Sequence, residues 1–177
     1  VTALGIKILE HDGYEADDIL GTIVRKFESQ DVKVILVTSD KDLLHLVTDK
    51  VTVMAAKKGL SDFIRYNRDK VIEKYDVPPE LMVDYFSLVG DSADNIPGIP
   101  GIGPVHAVKL LRQFGSLNEL LARTNEIEAK GVRSKVEQGR EFALLSKQLI
   151  QLKCNAPILD TIEQYRIEKK NDQQLFQ

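Results

Sequence analysis

A run of β-branched and apolar side chains at residues 32–38 constrains the fold of this 177-residue chain more than any other feature. The run, VKVILVT, holds a single charged residue, which is typical of a strand buried on both faces of a sheet. A helical pattern at residues 43–47 and a second strand-like run at residues 51–55 follow it. Strand, helix and strand in this order predict an open, parallel α/β sheet, whose ligands bind beyond the carboxyl ends of the strands.

Further elements are predicted on both sides of this sheet. Alternating apolar residues at 5–10 predict a short strand, and residues 19–27 carry apolar side chains at helical spacing behind an acidic first turn. Lys57, Lys58 and Gly59 predict a turn after the second strand.

From Asn67 onward the apolar spacing is helical throughout. Asn67, prolines, Gly115 and Ser116 provide the start and stop signals. Helices are predicted at about residues 68–75, 79–89, 104–114, 117–123 and 134–149. The last of these offers Phe142, Ala143, Leu145 and Leu149 to the core. The change of pattern predicts an α/β region at residues 1–75 and a helical region at residues 76–177.

Composition and charge limit the kind of protein further. The chain is 43% hydrophobic, which suffices for a core, and it has no apolar run long enough to cross a membrane. Its single cysteine, Cys154, fits a reducing compartment, and a cytoplasmic protein is expected. The net charge is −6 over residues 1–103 but +4 over residues 104–153. This asymmetry suits a metal-binding half beside a phosphate-binding half.

Seven acidic residues lie at the ends of predicted elements, namely Glu15, Asp17, Asp18, Asp40, Asp42, Asp91 and Asp94. Each taken alone is more often a helix cap or a solvated charge. Three acidic clusters at one sheet edge would repel one another unless cations lay between them. Carboxylates suit Mg2+, and two such ions about 4 Å apart can clamp the attacking and leaving oxygens of a phosphodiester. We therefore predict a site for two Mg2+ ions, with Mn2+ as a substitute.

A glycine-rich turn at residues 98–103, GIPGIG, predicts a grip on phosphate. It resembles the hairpin of a helix-hairpin-helix motif, which binds DNA without sequence preference. Glycines let the backbone approach a phosphate, the two isoleucines anchor the turn, and the next helix begins with free amides. Basic side chains in later helices add phosphate contacts. The predicted DNA-binding residues are Gly98, Ile99, Gly101, Ile102, Gly103, Lys109, Arg112, Lys135 and Arg140.

Three segments carry a family resemblance: EADD at residues 15–18, TSDKD at residues 38–42 and GDSADNIPGIPGIGP at residues 90–104. They resemble the motifs of the 5'-3' exonuclease domain of bacterial DNA polymerase I, a relative of the flap endonucleases. The resemblance implies an α/β, PIN-like catalytic core followed by an all-helical region with a helix-three-turn-helix. It also implies removal of 5' flaps or RNA primers from duplex DNA during replication and repair, with two Mg2+ ions.

The resemblance also implies roles for individual residues. It assigns Glu15, Asp17 and Asp18 to a first metal ion, and Asp40, Asp42, Asp91 and Asp94 to a second ion or to both. It gives catalytic roles to Asp17, Asp40, Asp42 and Asp94. Family hairpins hold K+ through backbone carbonyls, which would fall here near Gly98, Ile99 and Ile102. A monomer is expected, with a polymerase domain in the same parent chain.

One departure from the family leaves other functions open. Family members carry a further N-terminal portion, with a strand bearing a metal-binding aspartate and a basic helical arch, and none of it precedes Val1. The chain is therefore expected to be N-terminally truncated. It could act as a duplex-DNA-binding fragment without turnover. A third reading takes Asp40, Lys41 and Asp42 as the site of a small-molecule phosphohydrolase, which would have no need of the glycine hairpin.

Overall fold

The computed structural model describes residues 1–30, 32–57, 62–159 and 161–170. They form two compact units, the first made of Val1–Lys33 with Leu152–Gln177 and the second of Val34–Gln151. The turn predicted at Lys57, Lys58 and Gly59 falls in part on residues 58–61, which lie outside the described residues. Within the described ranges, no helix has the length and apolar character needed to cross a membrane.

The first unit is built on helix α1, Ala16–Phe27. Ile19, Val24 and Phe27 form its buried face, and the Phe27 ring meets the Tyr165 ring edge to face at 5.4 Å. Tyr165 ends a 3-10 turn, Ile162–Tyr165, in the C-terminal segment. Another 3-10 turn, Thr2–Leu4, opens the chain.

The strand predicted at residues 5–10 is wrong. This segment has no regular structure, and both Ile6 and Ile8 are exposed. Its alternation is real, but no strand of the described residues pairs with it. A strand needs a hydrogen-bonded neighbour, which alternation alone does not supply.

The second unit begins with a three-stranded sheet in the order β1-β2-β3. The strands are β1 (Val34–Val37), β2 (Val51–Ala56) and β3 (Phe63–Tyr66). β1 and β2 are parallel, as predicted, whereas β3 returns antiparallel to β2, so the α/β sheet is mixed. Between β1 and β2 the chain forms the 3-10 helix Asp42–Leu46, which buries three leucines.

The prediction that the first long apolar run is buried on both faces is wrong. β1 lies at the edge of the sheet, where Leu36 is buried but Ile35 and Val37 are exposed. β2 holds the buried position, with Val51 and Val53 in the core. An apolar run marks a strand correctly, but its hydrophobicity alone does not show how many faces are covered.

Residues at the helix ends determine where the first four helices of this unit begin or end, as predicted. The Asn67 side chain accepts the Lys70 N–H at 3.0 Å and starts the next helix. The Ser116 hydroxyl likewise accepts the Glu119 N–H at 3.2 Å, and Gly115 ends the preceding helix at φ 80. The helices are α2 (Arg68–Tyr75), α3 (Met82–Val89, after the 3-10 turn Pro79–Leu81), α4 (Pro104–Phe114) and α5 (Leu117–Ala122).

The last predicted helix is in fact two helices, α6 (Lys130–Gln138) and α7 (Arg140–Ile150), which follow the 3-10 turn Thr124–Glu126. They meet at Gly139, where a β-carbon would approach the Ile99 Cγ2 to 2.5 Å. Ala143 packs in the core as predicted. The other three apolar residues assigned to the core, Phe142, Leu145 and Leu149, are exposed on α7.

Candidate metal centre and adjoining hairpin

Asp40 and Asp42 lie just beyond the carboxyl end of β1, where a hydrogen-bonded turn holds them together. The Asp40 N–H donates to the Thr38 hydroxyl at 3.0 Å. The Asp40 Oδ1 in turn accepts the Asp42 N–H at 2.9 Å. An aspartate that binds the backbone two residues ahead forms a compact turn of its own. This turn presents both carboxylates at one edge of the sheet.

Asp91 and Asp94 lie on a short closed loop after α3. Gly90, at φ 81, ends the helix. Asp91 and Ile96 then exchange two backbone hydrogen bonds of 3.0 and 2.8 Å, with Asn95 in the left-handed region at φ 57. The bridge fixes both ends of the loop, and Asp94 is exposed on it.

Three of these side chains form a cluster, which we call the carboxylate cluster. One oxygen from each of Asp40, Asp42 and Asp94 lies within 4.8 Å of the other two. The Asp42 Oδ1 is buried and accepts no hydrogen bond from the described residues. Burial, and then the negative charges of Asp40, Asp94 and Asp91, together raise the pKa of Asp42 to about 6. Hard oxygen ligands around a buried, unpartnered carboxylate atom fit a divalent cation.

Asp91 was predicted to join this metal site, but its side chain is engaged with Lys41. The Lys41 ammonium donates to the Asp91 Oδ2, and the Ala93 N–H donates to the Asp91 Oδ1 at 3.0 Å. Burial alone would raise the pKa of Asp91, but the hydrogen bonds from Lys41 and Ala93 hold it below its usual range. The same hydrogen bond raises the pKa of Lys41. Sequence reasoning missed this pairing, and its only signal was a lysine between two candidate ligands.

The remaining predicted ligands, Glu15, Asp17 and Asp18, belong to the first unit. Glu15 and Asp18 form a capping box at the start of α1, in which the Glu15 N–H donates to the Asp18 Oδ2 at 3.2 Å. Asp18 is buried, and its Oδ1 accepts the Lys153 N–H at 2.7 Å. Asp18 therefore holds the C-terminal segment to α1. The metal-binding roles of all three residues stay a prediction.

The hairpin follows the Asp91 loop directly and is anchored as predicted. Ile99 and Ile102 are only 2% and 3% exposed. The Gly98 N–H donates to the buried Ser146 hydroxyl at 3.0 Å, and Gly98 and Gly101 have positive φ values of 59 and 79. A side chain at Gly98 would overlap the backbone at the end of α3. The hairpin and the Asp91 loop therefore pack backbone against backbone.

The open side of the hairpin presents free backbone donors. Within the part of the chain that the structure describes, the amides of Gly101, Gly103 and Val105 donate to no protein atom. Space within 4 Å of Gly103 is empty where a β-carbon would lie. Its φ of −97 is extended, so Gly103 serves close approach and does not need a left-handed backbone. Free amides at a helix N-terminus are suited to binding an anion such as phosphate.

The four basic residues predicted to contact DNA differ in their present contacts. The Lys135 ammonium donates to the Gly101 carbonyl at 3.1 Å, so it lies at the hairpin itself. Lys109 is exposed on α4. Arg112 is paired with Asp76, and the Arg140 guanidinium donates to the Leu121 carbonyl at 2.8 Å. Contact of any of the four with DNA stays a prediction.

Two family models together cover nearly the whole chain. The model described as the 5'-3' exonuclease N-terminal resolvase-like domain matches residues 1–76. The model described as the 5'-3' exonuclease C-terminal SAM fold matches residues 77–173. The chain belongs to the 5'-3' exonuclease family. The resemblance seen in its acidic motifs is thereby confirmed.

Curated relatives of this chain are bacterial DNA polymerases. It is 44% identical to DNA polymerase I of Bacillus caldotenax over 156 residues, which make up 88% of this chain and 18% of that protein. It is 40% identical to DNA polymerase I of Bacillus subtilis over 174 residues, or 98% of this chain and 20% of that protein. The chain thus spans about a fifth of the length of these relatives.

Solved structures confirm the fold of the chain. The T5 5'-exonuclease with divalent zinc ions bound matches at a TM-score of 0.72 and 24% identity, over 82% of this chain and 52% of that one. A bacteriophage T5 flap endonuclease, in a pseudo-enzyme-product complex with DNA and metal ions, gives 0.72 and 23% over the same shares. The catalytic core of Rad2 with DNA substrate gives 0.63 and 14%, over 98% and 59%. The predicted PIN-like α/β class is correct.

Proposed function

We propose that this member of the 5'-3' exonuclease family is a divalent-metal-dependent 5' nuclease, acting as a 5'-3' exonuclease and 5'-flap endonuclease. The observation that carries the proposal is the buried Asp42 Oδ1, which lies beside two further carboxylates and has no hydrogen-bond partner in the described ranges. A carboxylate left in this state destabilises a fold unless a cation compensates it. Membership of the 5'-3' exonuclease family indicates the bond on which such a metal site would act, the phosphodiester.

The carboxylate cluster would hold the ion through Asp40, Asp42 and Asp94, all of which offer hard oxygen ligands. We propose Mg2+, with Mn2+ as a substitute. We also propose a second ion, with Asp91 among its ligands. Glu15, Asp17 and Asp18, in the first unit, stay predicted ligands of a metal ion, and we propose K+ at the carbonyls near Gly98, Ile99 and Ile102. The cations would supply activation of water and stabilisation of charge on the phosphodiester oxygens.

The protein's own groups position the substrate. The turn from Thr38 to Asp42 fixes two carboxylates on the backbone, so they need no rearrangement before the reaction. The free amides of Gly101 and Gly103 would bind phosphates of the duplex backbone. Because the hairpin packs against the Asp91 loop, a duplex bound at the hairpin is held at a fixed distance from the carboxylate cluster.

The proposed substrate is duplex DNA that carries a 5' flap or an RNA primer. Support comes from the relatives, since the T5 flap endonuclease complex holds DNA and metal ions and the Rad2 core holds a DNA substrate. The curated relatives are DNA polymerases, so we propose a polymerase domain in the same parent chain and a role in bacterial replication and repair. We also propose that the protein is a monomer and that it acts in the bacterial cytoplasm.

Cleavage of a 5'-flap duplex in Mg2+ by an Asp40→Asn variant tests this function. Losing one ligand charge should slow cleavage by at least about 100-fold, because several kcal/mol of charge stabilisation depend on the site. Binding to the same duplex should change by less than about threefold, because the hairpin is intact. Asp49→Asn, at an exposed carboxylate of the same unit, is the matched control and should cleave normally. Normal cleavage by Asp40→Asn would show that the cluster has no catalytic role.

Duplex binding without turnover is the second candidate function. The complete, anchored hairpin favours it, because Ile99, Ile102 and the free amides are all in place. This function predicts binding that weakens with salt, together with no product in either Mg2+ or Mn2+. Product from the wild-type chain in either metal would exclude it.

A further inference from the structure

Lys41 stands between two ligands of the carboxylate cluster in the sequence, yet its ammonium contacts a different carboxylate. Among the described residues its ion pair is with Asp91. The Asp42 Oδ1, one residue along the chain, accepts no hydrogen bond from the part of the chain that the structure describes. Among the described residues, the site therefore contains one carboxylate paired with an ammonium and one carboxylate oxygen without a hydrogen-bond partner.

The surroundings of Asp91 explain why it needs that cation. Its side chain is only 5% exposed, and its other oxygen accepts the Ala93 N–H. A carboxylate so placed is strongly destabilising when unpaired. The Lys41 side chain is 39% exposed, and its ammonium lies 5.7 Å from the centre of the Phe86 ring. A flexible four-carbon stem lets a lysine swing away without moving the backbone.

We propose that Lys41 is a built-in counter-cation that occupies Asp91 until a second divalent ion displaces it. The inference rests on the proposed metal-dependent function and adds an order to the binding of the two ions. The first ion binds the carboxylate cluster, where the described residues form no ion pair with Asp40, Asp42 or Asp94. The second must exchange with the Lys41 ammonium at Asp91, so its site is the weaker one. The Lys41 ammonium thereby balances the charge of the Asp91 carboxylate until the second ion binds.

Titration with Mn2+, followed by loss of the electron paramagnetic resonance signal of the free ion, tests this order. Wild-type chain should show a tighter and a weaker site. Lys41→Met, which keeps most of the unbranched side chain but removes its charge, should bind the second ion at least about tenfold more tightly, because Asp91 no longer has a competing cation. Lys41→Arg should keep the weak second site. An unchanged or weaker second site in Lys41→Met would overturn the proposal.

A second measurement uses the wild-type chain and so does not depend on the folding of any variant. Brief labelling of lysine amines, read by mass spectrometry, reports whether each ammonium is engaged. Saturation with Mn2+ should raise labelling of Lys41 at least about threefold as the ion frees its amine. Lys109, exposed on α4, is the internal control and should not respond. Lys41 labelling that stays constant through Mn2+ saturation would overturn the exchange.

Failure of the inference can be separated from failure of the proposed function. If Asp42→Asn loses the tight Mn2+ site, the carboxylate cluster is a metal site whatever Lys41 does. If the tight Mn2+ site depends on Asp42 but the affinity of the second site is the same in Lys41→Met as in the wild type, only the proposal that Lys41 is a counter-cation is rejected. Absence of any Mn2+ site in the wild-type chain would reject both.

Discussion

Replacing Asp42 with asparagine should make the metal-free protein more stable while removing its response to metal. The pKa of Asp42 rises from its ordinary value of 3.8 to about 6, first because of burial and then because of the neighbouring carboxylates. A shift of about two units corresponds to roughly 3 kcal/mol of destabilisation at neutral pH. Partial solvent access reduces this, so we expect Asp42→Asn to gain about 1–2 kcal/mol in the free energy of unfolding.

The pH dependence of the gain follows from the sign of the shift. Because the folded-state pKa of Asp42 is raised, the folded protein binds more protons than the unfolded chain between about pH 4 and pH 6. The contribution of Asp42 to stability therefore falls as pH rises through this window. The variant has no such group, so its advantage should be full near pH 7.5 and should vanish below about pH 4.

Urea unfolding in the presence of a chelator, at several pH values, measures the effect. Asp49→Asn serves as the control and should shift the unfolding free energy by less than about 0.5 kcal/mol at every pH. Adding Mg2+ should stabilise the wild type and the control but not Asp42→Asn. An Asp42→Asn protein less stable than wild type at pH 7.5, or a difference that ignores pH, would refute the reasoning.

The remaining predictions concern the hairpin and the helices beneath it. Gly98→Ala should lower the free energy of unfolding by about 2–4 kcal/mol in chemical unfolding, because Gly98 has a positive φ and its β-carbon would meet the backbone at the end of α3. Gly103→Ala should lower it by less than about 1 kcal/mol but should weaken duplex binding. Equal stability losses in the two would contradict this. Lys109→Ala should lower the slope of log affinity against log salt by about 1, and an unchanged slope would remove it from the interface. Lys147→Met should lower the free energy of unfolding by about 2–3 kcal/mol, because Asp84 loses its ion pair with the Lys147 ammonium at 2.8 Å. Thermal unfolding measures this change, and an unchanged stability would show that the ion pair is not needed for the fold.

Residues that favour the start or the end of a helix explain why much of the helical region could be predicted. Helix α4 has the predicted bounds, Pro104 to Phe114, because proline suits a first helical position and Gly115 takes the left-handed backbone that ends a helix. The break between α6 and α7 was missed for a tertiary reason. Ile99 packs where a β-carbon of residue 139 would lie, and helical periodicity carries no record of that contact.

The candidate site was predicted in part for similar reasons. Asp40 and Asp42 were found because they follow a strand, and parallel strands present ligands at their carboxyl ends. Asp94 joins them in space as predicted. The engagement of Asp91 by Lys41 could not be foreseen, because the two residues are far apart in the chain and only the folded loop brings them together. The structural role of Asp18 could not be predicted either, because it depends on a hydrogen bond from the Lys153 N–H, which is distant in sequence.

The most direct test of the central claim is a crystal of this chain soaked in Mn2+ and measured for anomalous scattering. If the carboxylate cluster is a metal centre, an anomalous peak will lie in direct coordination with the Asp42 Oδ1, with carboxylate oxygens of Asp40 and Asp94 completing part of the shell. A saturating soak that leaves this oxygen uncoordinated, with no peak among the three aspartates, would contradict the claim.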